Sequence, residues 1–174
     1  MDFPENIHTP RLILKRLRRQ NSLEFTALLA KESTRLESSF AGTLRLMKED
    51  PEQYFQQCDL GWDGRTRFRL GLWKEQYLGG LIGLRSVELE RGSAELFYFV
   101  AADFEGQGLA FEATKAVVDS AKEYSLNKLW LRVLPDNLRS VALAERLGFG
   151  AAEVLKQNYT TLDGMIHDTR VYRL

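Results

Sequence analysis

The sequence predicts a mixed α/β (α+β) fold, with one mostly antiparallel central sheet and helices on both faces. Three observations predict it. Residues 67–100 read as three strands joined by turns too short for a crossover, so they pair antiparallel. The run Leu96-Phe97-Tyr98-Phe99-Val100 is continuously apolar, as a central strand covered on both faces requires. From residue 108 onward the pattern becomes helix, strand, helix and two strands, which places helices on both sides of one sheet.

Arg11-Leu12-Ile13-Leu14 reads as a short first strand after Thr9-Pro10. Lys15, Arg16, Arg18 and Arg19 follow; such a basic cluster is either a solvated face or a contact for an acidic macromolecule or a cofactor phosphate. Asn21-Ser22-Leu23-Glu24 has the form of a capping box opening a helix to about residue 31, with Phe25, Leu28 and Leu29 on one side. Residues 33–47 fit neither period. Asp50-Pro51-Glu52-Gln53 is a sharper helix start, with Asp50 as cap and Pro51 at the first helical position. Phe68, Leu70 and Leu72 alternate with Arg67, Arg69 and Gly71, which predicts a half-buried strand. Residues 77–89 form the next strand, whose Gly79, Gly80 and Gly83 indicate a bulge or a close backbone approach. Leu109, Ala113, Ala116, Val117, Ala121 and Tyr124 recur at helical spacing over 108–124. A strand at 129–133 and a helix at 138–147 ending on Gly148 follow. Two strands, 152–159 and 165–173, close the chain.

The 174 residues suffice for one domain with a sizeable core, and no repeat or linker divides them, so residues 1–174 are read as a single domain. Lys+Arg and Asp+Glu are 24 each, a formal net charge of zero. No overall basic field exists to drive nucleic-acid binding, and any phosphate must be held locally. Cys58 stands alone, which excludes an internal disulfide and a multi-cysteine zinc site. No apolar run approaches the roughly 18–20 residues that span a bilayer. Residues 1–6 show no basic segment followed by an apolar one. The expectation is a soluble cytoplasmic protein, with neither direct nucleic-acid nor membrane partners.

The chemistry concentrates at Phe104-Glu105-Gly106-Gln107-Gly108-Leu109-Ala110, between the central strand and the long helix. Two glycines allow successive N–H groups to turn toward one point beside the positive end of a helix dipole. That makes an anion site needing no lysine. A dinucleotide fingerprint would need a third glycine where Phe111 stands, and a parallel first strand. Both are missing.

The stretch Glu105-Gly106-Gln107-Gly108-Leu109-Ala110 resembles the Arg/Gln-x-x-Gly-x-Gly/Ala motif of the GNAT superfamily of acetyl-CoA-dependent N-acetyltransferases, with Glu105 in place of the usual Arg or Gln. A second block, Asn137-Leu138-Arg139-Ser140 and then Leu147-Gly148-Phe149, resembles that family's N-x-x-S…L-G-F segment. The start, Thr9-Pro10-Arg11-Leu12, and the end, His167-Asp168 with Tyr172, resemble the branch that acetylates N-termini of ribosomal proteins. The resemblance covers residues 9–174.

It implies a GNAT-like sheet, acetyl-CoA as co-substrate, no metal, and direct attack of an amine on the thioester. The cofactor-binding set it implies is Phe99 and Val100 along the pantetheine, Glu105, Gly106, Gln107, Gly108, Leu109 and Ala110 around the pyrophosphate, and Asn137. Asn137 also reads as the cap of the 138–147 helix. Glu95 is the one acid in an apolar strand. Apolar walls would raise its pKa and suit it to general-base work, whereas a strand-end ion pair is the plain reading. The tyrosine that many of these enzymes use to protonate the leaving thiolate would stand at Ala144 and is missing. Ser140 is the candidate acid by resemblance, and a helix-start hydroxyl by plain reading. Tyr98, Tyr159 and His167 are in reserve, and Trp62, Trp73 and Trp130 read as core or pocket wall. The implied partner is an amine acceptor, a protein N-terminus or a small molecule, with a homodimer as candidate assembly. The alternatives are acetylation of an antibiotic or polyamine, and a catalytically silent CoA-binding module.

Overall fold

The computed structural model describes residues 2–174. Eight strands form one sheet: Asn6–His8 (β1), Ile13–Arg16 (β2), Phe68–Lys74 (β3), Tyr77–Glu88 (β4), Ser93–Val100 (β5), Lys128–Val133 (β6), Gly150–Thr160 (β7) and Ile166–Arg173 (β8). The five helices are Ser22–Leu36 (α1), Ala41–Glu49 (α2), Pro51–Asp63 (α3), Leu109–Glu123 (α4) and Leu138–Arg146 (α5). Strand order is β1-β2-β3-β4-β5-β6-β8-β7, and among the described residues β5–β6 alone pairs parallel. The expected mostly antiparallel sheet with helices on both faces is what forms.

Two cores flank the sheet. Leu109, Ala113, Val117 and Ala121 of α4 pack with Leu70, Ile82 and Leu96 on one face. Phe25, Leu28, Tyr54 and Phe55 of α1 and α3 pack with Leu81 and Phe99 on the other. Because both faces are covered, β3 is not the half-buried strand its alternation predicts. Arg69 lies buried, its guanidinium 4.8 Å from the Tyr54 ring and its Nη1 donating to Cys58 Sγ at 3.4 Å.

The glycines of β4 serve both expected purposes. Leu72 opposes Gly79 and Gly80 together, a bulge between the Gly71–Leu81 and Trp73–Leu78 pairs. At Gly83 an added Cβ would fall 1.8 Å from the Phe68 carbonyl oxygen, so strand contact there tolerates no side chain.

Helix starts follow local chemistry. Asp50 caps α3, accepting from the Gln53 N–H at 2.9 Å, with Pro51 at the first position. Asn137 caps α5, accepting from the Ser140 N–H at 3.2 Å. The capping box expected at Asn21 differs: its side chain accepts from the Arg18 N–H and so closes the preceding turn, and α1 runs on to Leu36. The basic cluster is spent on contacts within the chain, most of them at the surface. Arg16 bridges Glu5 and Asp59, Arg18 pairs with Glu5, Arg19 with Glu52, and Lys15 sits 5.6 Å from the Trp73 ring.

Candidate active site

The site is made by a failure of pairing. β5 and β6 pair only through Ser93–Lys128, Ala94–Leu129 and Glu95–Trp130. β6 then follows β8, and the edge of β5 over residues 96–100 that faces β6 has no strand partner. A cleft of about 710 Å³ opens there, lined along β5 by Phe97, Tyr98, Phe99 and Val100. This is why Phe97, Tyr98 and Val100 are half-buried in a strand that is central by position.

At one end of the cleft β5 runs through a short turn at Ala102–Phe104 into the double-glycine loop. Gly106 has φ +72° and Gly108 φ +75°, left-handed angles that glycine adopts freely. Gly108 is the residue before α4, and no side chain caps that helix. Its first N–H groups and the positive end of its dipole are therefore left for a ligand. Gly106, Gly108, Leu109 and Ala110 line the cleft, as does Asn137. Gln107 turns outward: its amide donates to the Asp103 carbonyl and accepts from Lys74 Nζ, both at 2.9 Å.

Glu105 lines this end as well, and it is not alone. Arg35 from α1 and Arg139 from α5 both bind its carboxylate. Arg35 also binds the buried Glu32, which accepts from the Ala102 N–H at 3.2 Å. Lys31 pairs with Asp103 at 2.5 Å. Helix α1 is thus fastened along the loop that leads to the glycines.

The other end lies over β4, β5 and β6. Glu95, 1% exposed, accepts from Arg85 Nη2 at 2.6 Å and from Arg132 Nε at 2.9 Å and Nη2 at 3.1 Å. Burial pushes its pKa up, but the two guanidiniums outweigh burial and hold it below the usual carboxylate value. The expected elevation is therefore overturned, because the neighbours of Glu95 are cations and not apolar walls alone. Arg85 and Arg132 line the cleft, and Glu95 lies behind them. Phe40, 5.0 Å from the Phe99 ring, forms the wall that α1 and α2 contribute. Tyr159 lines the opposite wall, its Oη accepting from the Ala41 N–H at 3.3 Å; burial raises its pKa. His167 pairs with Tyr159 in the hairpin and does not line the cleft.

Ser140 and Tyr98 line the wall between α5 and β5. The Tyr98 hydroxyl is buried, with its pKa raised by burial; it faces Ser140 without closing a well-formed hydrogen bond. Ala144 is buried in the α4-side core, and no acidic hydroxyl comes from its position.

A sequence model of the acetyltransferase (GNAT) domain family matches residues 11–150. The chain belongs to the GNAT acetyltransferase family. Among curated relatives, the Bacillus subtilis protein YdaF, provisionally named a ribosomal N-acetyltransferase, is 31% identical over 60% of this chain and 57% of its own. The [ribosomal protein bS18]-alanine N-acetyltransferase of Escherichia coli K12 is 34% identical over 37% of this chain and 44% of its own. The chain thus spans about half the length of each. Among solved structures, Mycobacterium smegmatis RimJ in complex with CoA-disulfide superposes with a TM-score of 0.90 at 17% identity, covering 100% of this chain and 90% of that one. RimL, a ribosomal L7/L12 α-N-protein acetyltransferase, gives 0.89 at 20% identity over 98% and 93%.

As a GNAT domain the chain shows one substitution of charge. The motif's usual Arg or Gln is replaced by the anionic Glu105, and two arginines from distant elements reach the same place. Arg139 lies within the α5 block that carries the resemblance, so its position was readable. Arg35 lies on an ordinary solvent-facing stretch of α1, and nothing in the sequence marks it.

Proposed function

We propose that the chain moves an acetyl group from acetyl-CoA to a primary amine, and that the acceptor is a protein N-terminal α-amine. The observation that carries this is the β5–β6 splay running straight onto the double-glycine helix start. An extended thioester arm and its diphosphate need those two features end to end. The residues fit CoA: Gly106 and Gly108 leave room and turn N–H groups, α4 presents its uncapped end, and the open edge of β5 at Phe99 and Val100 offers main-chain groups along the arm. Leu109, Ala110 and Asn137 complete that wall, with the Gln107 main chain but not its side chain. Bound acetyl-CoA would supply an activated acyl carbon.

The amine nitrogen forms its bond to that carbon as the carbon–sulfur bond breaks; the nitrogen gives up a proton and the sulfur gains one. Ser140, on the cleft wall beside the Tyr98 hydroxyl, is the group we assign to hand a proton to sulfur. Proton removal from nitrogen falls to weak groups. Glu95 is ionised, occupied by two arginines and behind the cleft wall, so its role is to position them. The acceptor must then be partly free base already. An α-amine titrates near ~7.7–8.0 and a lysine near ~10.4, so freeing them at pH 7 costs about 1 and about 4–5 kcal/mol. Weak assistance suits the α-amine, and the names of YdaF, RimL and the bS18 enzyme support the same class.

Thiol release from acetyl-CoA with α-amine peptides, lysine side-chain peptides and polyamines tests the reading. CoA binding with no release from any amine would overturn it in favour of a silent binding module.

Ser140→Ala should lower kcat by about 100-fold or more with KM for acetyl-CoA nearly unchanged, since a positioned acid contributes about 10²–10⁴-fold. Steady-state kinetics checks it, and an unchanged kcat removes Ser140 from proton transfer. Glu105→Gln should tighten CoA about 5–10-fold at low salt, because it removes an anion from the cradle and frees Arg35 and Arg139 for phosphate. Calorimetry at two ionic strengths checks it; the gain should shrink at high salt.

A further inference from the structure

The cleft is far more basic than the chain. Net charge is zero over 174 residues, yet the side chains lining the cleft include Arg35, Arg85, Arg132, Arg139 and Arg146, with Glu105 the single acid among the described residues. Arg35 and Arg139 belong to the phosphate end. Arg85 and Arg132 do not. They stand at the opposite end, two cations sharing Glu95, which leaves an excess positive charge facing the cleft.

The neighbourhood adds to it. Arg67 and Arg69 lie on the same side of the sheet, and neither makes an ion pair among the described residues. Their charges and that of Arg85 reinforce one another, and burial with these neighbours pulls the pKa of Arg67 down. Arg85 Nε is buried without a partner, and its guanidinium sits 5.7 Å from the Phe97 ring. Arg132 Nη1 is held by Asn158 at 3.0 Å. The pair is therefore fixed in place and short of anions.

Phe97 is two residues along β5 from Phe99, about 6–7 Å at strand rise. With the thioester at Phe99, as the proposed path of the arm puts it, the attacking amine and an anion at the guanidinium beside Phe97 are one to two residues apart in an extended acceptor, at 3.8 Å per Cα step.

We propose that Arg85 and Arg132, positioned by Glu95, select peptide acceptors that carry a side-chain carboxylate at the second or third residue. This rests on the N-terminal acetyltransferase reading and names its substrate class. Polyamines and lysine-rich N-termini are repelled by the same two groups.

The test is thiol release at saturating acetyl-CoA for three eight-residue peptides that differ only at positions two and three, as Glu-Glu, Gln-Gln or Lys-Lys. At low salt kcat/KM should be about 10-fold higher for the acidic peptide than for the neutral one, and about 100-fold higher than for the basic one. The spread should narrow in salt. Arg85→Gln should cut the acidic-to-neutral ratio below about 3-fold, through KM, and Arg85→Lys should restore part of it. CoA affinity by calorimetry reports whether the variant is folded, and the unmodified protein's own peptide ranking needs no variant. Equal rates on all three peptides, or spermidine acetylated as fast as the acidic peptide, overturn the proposal and leave the acetyltransferase reading standing. Free glutamate acetylated as fast as the acidic peptide overturns the peptide assignment, since the anion then comes from a metabolite. Release from no amine overturns both.

Discussion

Gly106→Ala should weaken CoA binding about 100-fold while the protein stays folded. The residue has φ +72°, where a Cβ costs about 1–2 kcal/mol. Set against a typical stability of about 5–15 kcal/mol, that strain is survivable. Nothing else in the fold objects: a Cβ on Gly106 meets no protein atom within 4 Å. The added methyl would stand in the open end of the cleft, where a phosphate has to come close to main chain. Strain relief by leaving the left-handed angle would turn the neighbouring N–H groups away. Either outcome removes the charge-assisted hydrogen bonds that hold a diphosphate, and 100-fold corresponds to about 2.7 kcal/mol, one or two such bonds. Gly83 supplies the contrast. Its missing side chain is required by the Phe68 carbonyl, so substitution there attacks the sheet and not the ligand. Calorimetry with CoA, beside a thermal melt, separates the two effects. An affinity within about threefold of the parent protein would mean the loop is turn chemistry alone.

The glycine loop was legible because its chemistry is local: spacing, backbone freedom and the helix start all lie within a few residues. The Asp50 and Asn137 caps were readable for the same reason, since each bonds an N–H three residues on. What was not legible depends on distant segments. The three-residue β1 is too short to show a period, and it exists because Ile7 pairs with Leu14 across a turn. Helix α2 fell in the stretch 33–47 that fits no pattern; only Ala41 and Met47 of it are buried. Arg69 reads as an outward residue until Tyr54 and Cys58 cover it. Arg35 reaches Glu105 across 70 positions of sequence. The β5–β6 splay, which makes the site, depends on β6 following β8, a pairing set by the last strand of the chain.

Glu95 takes the ion-paired form of its two sequence readings and not the raised pKa of the other, and its replacement is the second large effect. Glu95→Gln should destabilise the protein by about 2–3 kcal/mol. Removing one partner of a buried ion pair costs about 3–5 kcal/mol, discounted here because the Arg85 and Arg132 side chains are 37% and 27% exposed. The amide keeps one acceptor oxygen and turns a donor toward guanidinium donors, so at least one strong bond is lost. For a chain of this size that is a fall of about 4–12 °C in Tm. The pH dependence has a definite direction. A carboxyl whose pKa is depressed by folding stabilises fully above its unfolded value, near 4.5, and loses that stabilisation as pH falls through the folded value. The parent protein and Glu95→Gln should thus differ most at neutral pH and converge below about pH 4.5, with the variant the less steep. Turnover should fall as Arg85 and Arg132 lose their anchor. The neutral limb of the pH–rate profile should stay where it is, because Glu95 is already ionised there and the limb belongs to the acceptor amine. Thermal melts from pH 3 to 8 and kcat over pH 6 to 9 check both halves. If the neutral limb vanished in Glu95→Gln, Glu95 would be the base after all, and the two arginines would be there to tune it.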